Sequence, residues 1–160
     1  MKDRGNKMKK VICLFVAVML LAGCGKKEES KNCSIDTKNI PTLAEKYKEF
    51  GDKSSVNDED AIYGYGIDTS LLDDYAIYIS SKIDDPSMYM VLKPKAGEES
   101  VVEYQVKDMF EKYLSSYQGY YPEAVPVIEG RLEKKYNGYY IYIISNNNDE
   151  VYNTLLDCKD

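Results

Sequence analysis

The 160-residue sequence has no histidine, no tryptophan, only two arginines and only three phenylalanines. Without imidazole, Ser-His-Asp triads and Cys-His dyads are excluded, and so is a histidine switch near neutral pH. No G-x-S-x-G, Walker A or G-x-G-x-x-G pattern occurs. The nearest approach, Tyr63-Gly64-Tyr65-Gly66, lacks a third glycine and a preceding strand, so no cofactor is expected. No acidic stretch alternates ligands with the glycine and distal glutamate of an EF-hand. Two spare cysteines without histidine cannot complete the usual four-ligand zinc centre, so no metal is expected. A long hydrophobic run is missing too. The apolar stretch Val11 to Ala22 has 12 residues. It covers roughly 18 Å as a helix, short of the ~30 Å hydrocarbon core of a membrane.

That short run follows Lys2, Arg4, Lys7, Lys9 and Lys10, set against a single Asp3. A basic start, a short apolar segment and small residues before the break are the parts of a secretory signal. Leu21-Ala22-Gly23-Cys24 resembles the lipobox of bacterial lipoproteins. That resemblance implies diacylglyceryl transfer to the Cys24 thiol and cleavage between Gly23 and Cys24. The competing readings are a soluble secreted protein cut nearby, or a short core helix. The expected organisation is a signal peptide over 1–23, a lipidated Cys24 with a flexible tether over 24–40, and one domain over 41–160. The domain would then sit on the extracytoplasmic face of the cell membrane, since two acyl chains anchor a protein stably.

Removing the first 23 residues takes away five of 21 basic and one of 27 acidic residues, which leaves a net charge of −10. Nucleic acid is not an expected partner for such a surface, because phosphate binding needs clustered Lys and Arg. Lysine outnumbers arginine 19 to 2, a bias typical of AT-rich genomes and of low-GC Gram-positive sources. The tether, residues 25–40, is polar and charge-mixed with no hydrophobic period. Sixteen such residues span roughly 20–25 Å on average and about 55 Å at most. Of the four cysteines, Cys13 leaves with the signal and Cys24 would be lipidated. Cys33 and Cys158 can form one disulfide outside the cytosol, or remain as two free thiols.

The rest reads as α+β. Pro41 to Phe50 predicts a short amphipathic helix, with Leu43, Tyr47 and Phe50 on one side. Residues 51–60 read as an acidic loop, and the glycines at 64 and 66 break any regular element after it. Two hairpins, about 75–93 and about 130–145, predict a small antiparallel sheet packed against one long helix over about 97–117, with short flanking helices. Val102, Val106, Met109, Phe110, Tyr113, Leu114 and Tyr117 give that helix a wide apolar face, read as core. Glu103–Lys107 and Asp108–Lys112 have i,i+4 spacing on its other side. Asn137-Gly138 demands a two-residue turn with positive φ, and so sets Tyr136 opposite Tyr139 and Glu133 opposite Tyr142. One face then carries Leu132, Tyr136, Tyr139, Ile141 and Ile143, expected to meet the long helix. The other carries Arg131, Glu133, Lys135, Tyr140, Tyr142 and Ile144, expected to face outward.

"YGYGID" with "DDYAIYIS", "YQGYYPE" and "NGYYIYIIS" together resemble an uncharacterised domain of Gram-positive lipoproteins common in gut Firmicutes. The resemblance covers about residues 60–157 and includes the lipobox architecture, while "FEKYL" stands where many members carry an arginine. It implies an exported location and a compact α+β domain, and carries no activity.

Catalysis would have to rest on carboxylates, as in a small envelope hydrolase with two acids flanking a glycosidic bond. Asp58-Glu59-Asp60, Asp73-Asp74 and Asp84-Asp85 fall in predicted loops or turns, where acids more often cap and solvate. The favoured reading is a non-enzymatic binding or accessory module at the cell envelope. All 16 tyrosines lie after the signal. Tyrosine joins an apolar ring to a polar tip, which suits recognition surfaces as well as half-buried strands. Tyr140 and Tyr142, with Tyr78 on the same sheet face, are therefore the candidate surface for an envelope protein, peptide or glycan. The competing account of these tyrosines is strand preference together with AT-rich codon use.

Overall fold

The computed structural model of the chain describes residues 33–46 and 52–158. The expected signal peptide, Cys24, residues 25–32 of the expected tether, and Tyr47 and Phe50 of the first expected helix lie outside the described residues. In chain order the elements are β1 (Cys33–Ser34), α1 (Ile40–Lys46), β2 (Lys53–Ser55), α2 (Asp58–Tyr65), β3 (Leu72–Ser80), β4 (Met88–Pro94), α3 (Glu99–Tyr120), α4 (Val125–Glu129), β5 (Leu132–Tyr136), β6 (Tyr139–Ile144), α5 (Asn148–Leu155) and β7 (Asp157–Cys158). Short 3-10 turns precede α1, β3 and α4. The fold is α+β, with an antiparallel five-stranded sheet in the order β2-β3-β4-β6-β5 and a two-stranded ribbon of β1 and β7.

The Asn137-Gly138 turn forms as its chemistry requires, with φ of 48° and 80°. It fixes the predicted pairs Tyr136↔Tyr139, Glu133↔Tyr142 and Leu132↔Ile143. The hairpin β3–β4 joins it through β4 and β6, which places Met90 beside Tyr142 and Leu92 beside Tyr140.

The assignment of faces differs from expectation. Strand side chains alternate between faces, and here both faces are buried. Met88, Met90, Leu92, Ile77, Tyr140, Tyr142 and Ile144 pack with Val102, Val106, Met109 and Phe110 of α3. Tyr89, Val91, Ala76, Ile141 and Ile143 form a second cluster on the opposite side, closed by Ile40 of α1 and by Val151 and Leu155 of α5. The long helix therefore covers the face read as outward, and two terminal helices cover the face read as facing it. In "YYIYII" tyrosine and isoleucine alternate, so both faces are apolar and periodicity sets the register without choosing the partner. A central strand of such a three-layer fold has no wet side, and each residue from Met88 to Leu92 is at most 1% exposed.

Three further elements were not predicted. The acidic loop contains β2, which adds to the β3 edge by pairing Ser54 with Ile79. The segment read as broken by glycine holds α2. Asn57 caps it by accepting from the Asp60 amide at 2.9 Å, and three acids occupy its first turn, where the helix dipole favours them. It ends at Gly66, with φ of 72°, a conformation glycine adopts without strain. The third element is the ribbon. Cys33 and Cys158 are joined by a disulfide across a sequence separation of 125. The Tyr136 hydroxyl accepts from the Cys33 amide and donates to its carbonyl, at 3.2 and 3.1 Å. Residues 33–40, expected in the tether, are thus part of the fold, and Ile40 is only 1% exposed.

Helix α3 runs 22 residues, past the expected end at Tyr117, to Tyr120. Asp108–Lys112 pairs as spaced, at 2.6 Å. Glu103 does not meet Lys107. It pairs with Lys135 of β5, and Lys107 reaches Glu111 at 3.9 Å.

Candidate functional site

The residues first singled out do not make a surface. Tyr140 and Tyr142 are 9% and 8% exposed, and the Tyr142 ring sits 5.7 Å from that of Phe110. Tyr78 belongs to the other face, where it pairs with Tyr89 and stacks on it at 5.3 Å. The binding face proposed from register is therefore interior, because the outward side of a hairpin was assumed where the sheet is covered on both sides. Burial pushes the Tyr142 hydroxyl up to about 12.

The acidic groups serve the fold. Asp58 accepts from Thr69 and from Tyr75, and these two hydrogen bonds hold its carboxyl below the ordinary value. Asp74 accepts from Thr37 and Tyr139 and so ties the turn before α1 to the sheet. Asp85 accepts from the Ser87 amide and hydroxyl inside the β3–β4 turn. Among the described residues, no group of three acids or cysteines is placed to hold a metal ion.

Tyrosines converge elsewhere. The second half of α3 carries Tyr113 and Tyr117 one turn apart, so both point at the β3–β4 turn. The Tyr113 hydroxyl donates to the Pro86 carbonyl at 3.1 Å. That of Tyr117 lies 3.3 and 3.2 Å from the carbonyl oxygens of Ile83 and Asp85. The turn cannot satisfy these carbonyls within its own strands, and the two phenols close it onto the helix. Their rings continue as a tilted series, Tyr113 to Tyr117 at 4.9 Å and Tyr117 to Tyr121 at 5.8 Å. The end of α2 brings Tyr65 to the same place, and together they line a hollow of about 440 Å³ with Ile79, Ile83 and Asp85. Its rim is exposed and apolar, with Ile83 80% and Tyr120 82% accessible. A second hollow of about 450 Å³ adjoins it across Tyr65 and Tyr113, beside Ile62 and the 84% exposed Tyr63.

Burial raises the hydroxyls of Tyr113, Tyr117 and Tyr65, so these three stay neutral through the physiological range. Burial also works on Asp85. Hydrogen bonds from Ser87 and Ser80, with the charge of Lys53, outweigh it and hold the carboxyl below its ordinary value. Asp85 is therefore an anion at the groove wall.

A larger depression of about 670 Å³ runs between α3 and β5 over Phe110 and Tyr142. Its charges are spent on each other. Lys135 pairs with Glu103, Arg131 pairs with Glu133 at 2.8 Å, and the Arg131 guanidinium rests 4.6 Å above Phe110. The tyrosine groove is the better candidate, since it combines a hollow with an exposed aromatic rim.

The α3 stripe is core as read, Tyr117 included, and sequence reasoning missed this groove because it ended the helix at Tyr117 and left Tyr120 and Tyr121 out of account. The cluster Tyr117, Tyr120 and Tyr121, next to Pro122, was the available signal. A family model described as a domain of unknown function (DUF4358) matches residues 46–145, which include every residue of the groove. No curated protein and no solved structure matches the chain.

Proposed function

The chain belongs to the family described as domain of unknown function DUF4358, and from that premise we propose that it is a membrane-anchored extracytoplasmic lipoprotein of a Gram-positive cell. In this reading the α+β domain is a non-enzymatic binding or accessory module. The anchor rests on Leu21-Ala22-Gly23-Cys24 after a basic and apolar start. The module rests on one observation, the tyrosine-lined groove with its exposed rim at Ile83 and Tyr120. Aromatic side chains at the mouth of a concave site supply contact area with little ordering cost, as recognition surfaces commonly do.

The two parts fit together physically. The described residues begin at Cys33, nine residue steps from a lipidated Cys24, a ceiling of about 30 Å of chain. A module on so short a lead works beside the membrane, on a partner protein, peptide or glycan of the envelope.

Two experiments test this. Labelled fatty acid should enter the wild type and not Cys24→Ala, and equal labelling of both would remove the anchor. For the groove, a photo-crosslinking residue placed at 120 should capture one recurring envelope component in intact cells, while the same residue at exposed position 134 on β5 should not. Identical capture from both positions would mean that the groove is not the site.

A further inference from the structure

Strand β5 is one edge of the five-stranded sheet, and among the described residues no strand pairs with its outer side. Tyr136 and Tyr139 flank the two-residue turn as a hydrogen-bonded pair. Such pairs alternate along an antiparallel ladder, so Leu132 and Lys134 also bond β6, while Glu133 and Lys135 aim their N–H and C=O groups outward. An edge of this kind is a template for a further strand. Its side chains select which strand. Glu133 and Lys135 are exposed, opposite in charge and two residues apart on the α3 side, with exposed Lys134 between them on the other side. A strand with the same order of acid and base, run antiparallel, meets each charge with its opposite.

We propose that β5 pairs with β5 of a second copy of the chain, antiparallel and centred on Lys134, an inference that rests on the lipid anchor. In that register Glu133 of each copy faces Lys135 of the other, and the outward groups of these residues exchange hydrogen bonds. Leu132 faces Tyr136 of the second copy. The α3 side then carries charges of alternating sign across the seam, Glu103 and Lys135 of one copy followed by Glu133 and Arg131 of the second. Centring the pair on 133 would set Glu against Glu, and centring it on 135 would set Lys against Lys. The one opposed contact is Lys134 on Lys134 at the axis, where both side chains are exposed and can diverge.

The anchor fits the same symmetry. Tyr136 and Asn137 hold Cys33 beside the turn, and Tyr136 lies on the face closed by α1 and α5. A two-fold axis perpendicular to the sheet keeps Cys33 of both copies on that face, so two chains anchored in one membrane can pair. An edge of five residues is well short of the roughly 1,200 Å² of a stable interface. The pair therefore forms where anchors concentrate the chains, and residues 33–158 without the anchor stay monomeric.

The test uses the full chain in intact Gram-positive cells, with Lys134→Cys as reporter and brief oxidation by copper phenanthroline. Residues opposed at the axis have neighbouring β-carbons, so a disulfide-linked dimer should form, read on a non-reducing gel. Ser115→Cys, exposed on α3, should give little. Adding Glu133→Pro should abolish the dimer and leave the melting temperature of the purified domain in place, since the lost N–H points away from β6. Glu133→Lys should abolish it too, and Glu133→Lys with Lys135→Glu should restore it. A yield from Lys134→Cys no greater than from Ser115→Cys would overturn the inference. So would a dimer that survives Glu133→Pro, or a charge exchange that restores nothing. Fatty-acid labelling of the same cells separates the two readings. A labelled chain that does not crosslink refutes the pairing alone, and an unlabelled chain refutes the anchor and the pairing with it. A crosslink through 134 joins the chain to itself, so its mass tells it apart from the component sought at 120.

Discussion

Replacing both Cys33 and Cys158 by serine should remove a large share of the domain's stability. The bond closes 125 residues of chain. In the chain-entropy account, opening a loop of that size frees the unfolded state by about 5 kcal/mol. The native state has little to lose in exchange. The ribbon is two residues per strand, and its remaining ties are the Tyr136 and Asn137 bonds to Cys33, which the serine variant retains. Whole domains are stable by about 5–15 kcal/mol, so a loss of about 3–5 kcal/mol is substantial without predicting a chain that never folds. Urea unfolding followed by far-UV circular dichroism measures it directly. The midpoint should fall by about 2 M, and the slope should rise because the unlinked chain unfolds to a more expanded state. Dithiothreitol should bring the wild type to the same curve. A double variant within about 0.5 kcal/mol of wild type, with no response to reductant, would refute the reasoning, because the bond would then not constrain the unfolded chain.

Three further outcomes are expected. Tyr140 and Tyr142 replaced together by serine should destabilise at least as much as Ile143→Ala, about 2–5 kcal/mol in urea titration, since all three side chains are interior. A double serine variant as stable as wild type would return these tyrosines to the surface. Asp58 is held below its ordinary pKa by bonds from Tyr75 and Thr69, so the unfolded state binds its proton more readily. Its contribution is therefore present above about pH 4 and is lost as pH falls through the folded value, and Asp58→Asn should flatten the acid limb of a stability–pH curve. Tyr75 and Tyr139 are pushed up to about 12 by burial and by bonds to Asp58 and Asp74. Their raised values stabilise the fold up to about pH 10 and cease to do so as pH rises towards 12. Tyrosinate absorbance should accordingly lag in the folded protein, with no tryptophan to obscure it.

Local chemistry was readable where one residue type answers one backbone demand. Asn137-Gly138 fixed a turn, and the turn fixed five pairings of β5 with β6. Val102, Val106, Met109 and Phe110 marked the buried side of α3 because a helix face repeats at three and four. What failed needed information from elsewhere in the chain. Lys53-Ser54-Ser55 carries no strand pattern, and becomes β2 because the edge of β3 is open beside it. Gly64 counted against α2, although Asn57 and the three acids after it spelled a helix start. The tyrosines misled most, since a ring with a hydroxyl suits a core, an edge or a surface equally well. Tyr142 and Tyr120 differ only in what lies above them, 8% against 82% exposed, and no local pattern records that.

The division between the family-matched segment and its flanks has a physical consequence. The match covers 46–145 and holds the five-stranded sheet, α2, α3 and the groove, whereas the disulfide and α5 lie outside it. The flanks supply Ile40, Val151 and Leu155, which close the sheet face made by Ala76, Tyr89, Val91, Ile141 and Ile143. These last five are at most 6% exposed in the whole domain. A fragment limited to 46–145 would present them to water as one contiguous apolar sheet face, the kind of patch that monomeric proteins rarely leave open. Each large side chain uncovered forfeits about 1.5–3 kcal/mol of burial. The four large ones, Tyr89, Val91, Ile141 and Ile143, together rival the stability of a typical domain. The fragment is therefore expected to bind a hydrophobic dye and to associate or unfold at temperatures where residues 33–158 remain folded and monomeric. Dye fluorescence and sedimentation of the two chains side by side decide it. A monomeric 46–145 fragment with the melting temperature of the longer chain would show that the second face needs no cover, and that the disulfide-linked flanks are an addition to a domain already complete.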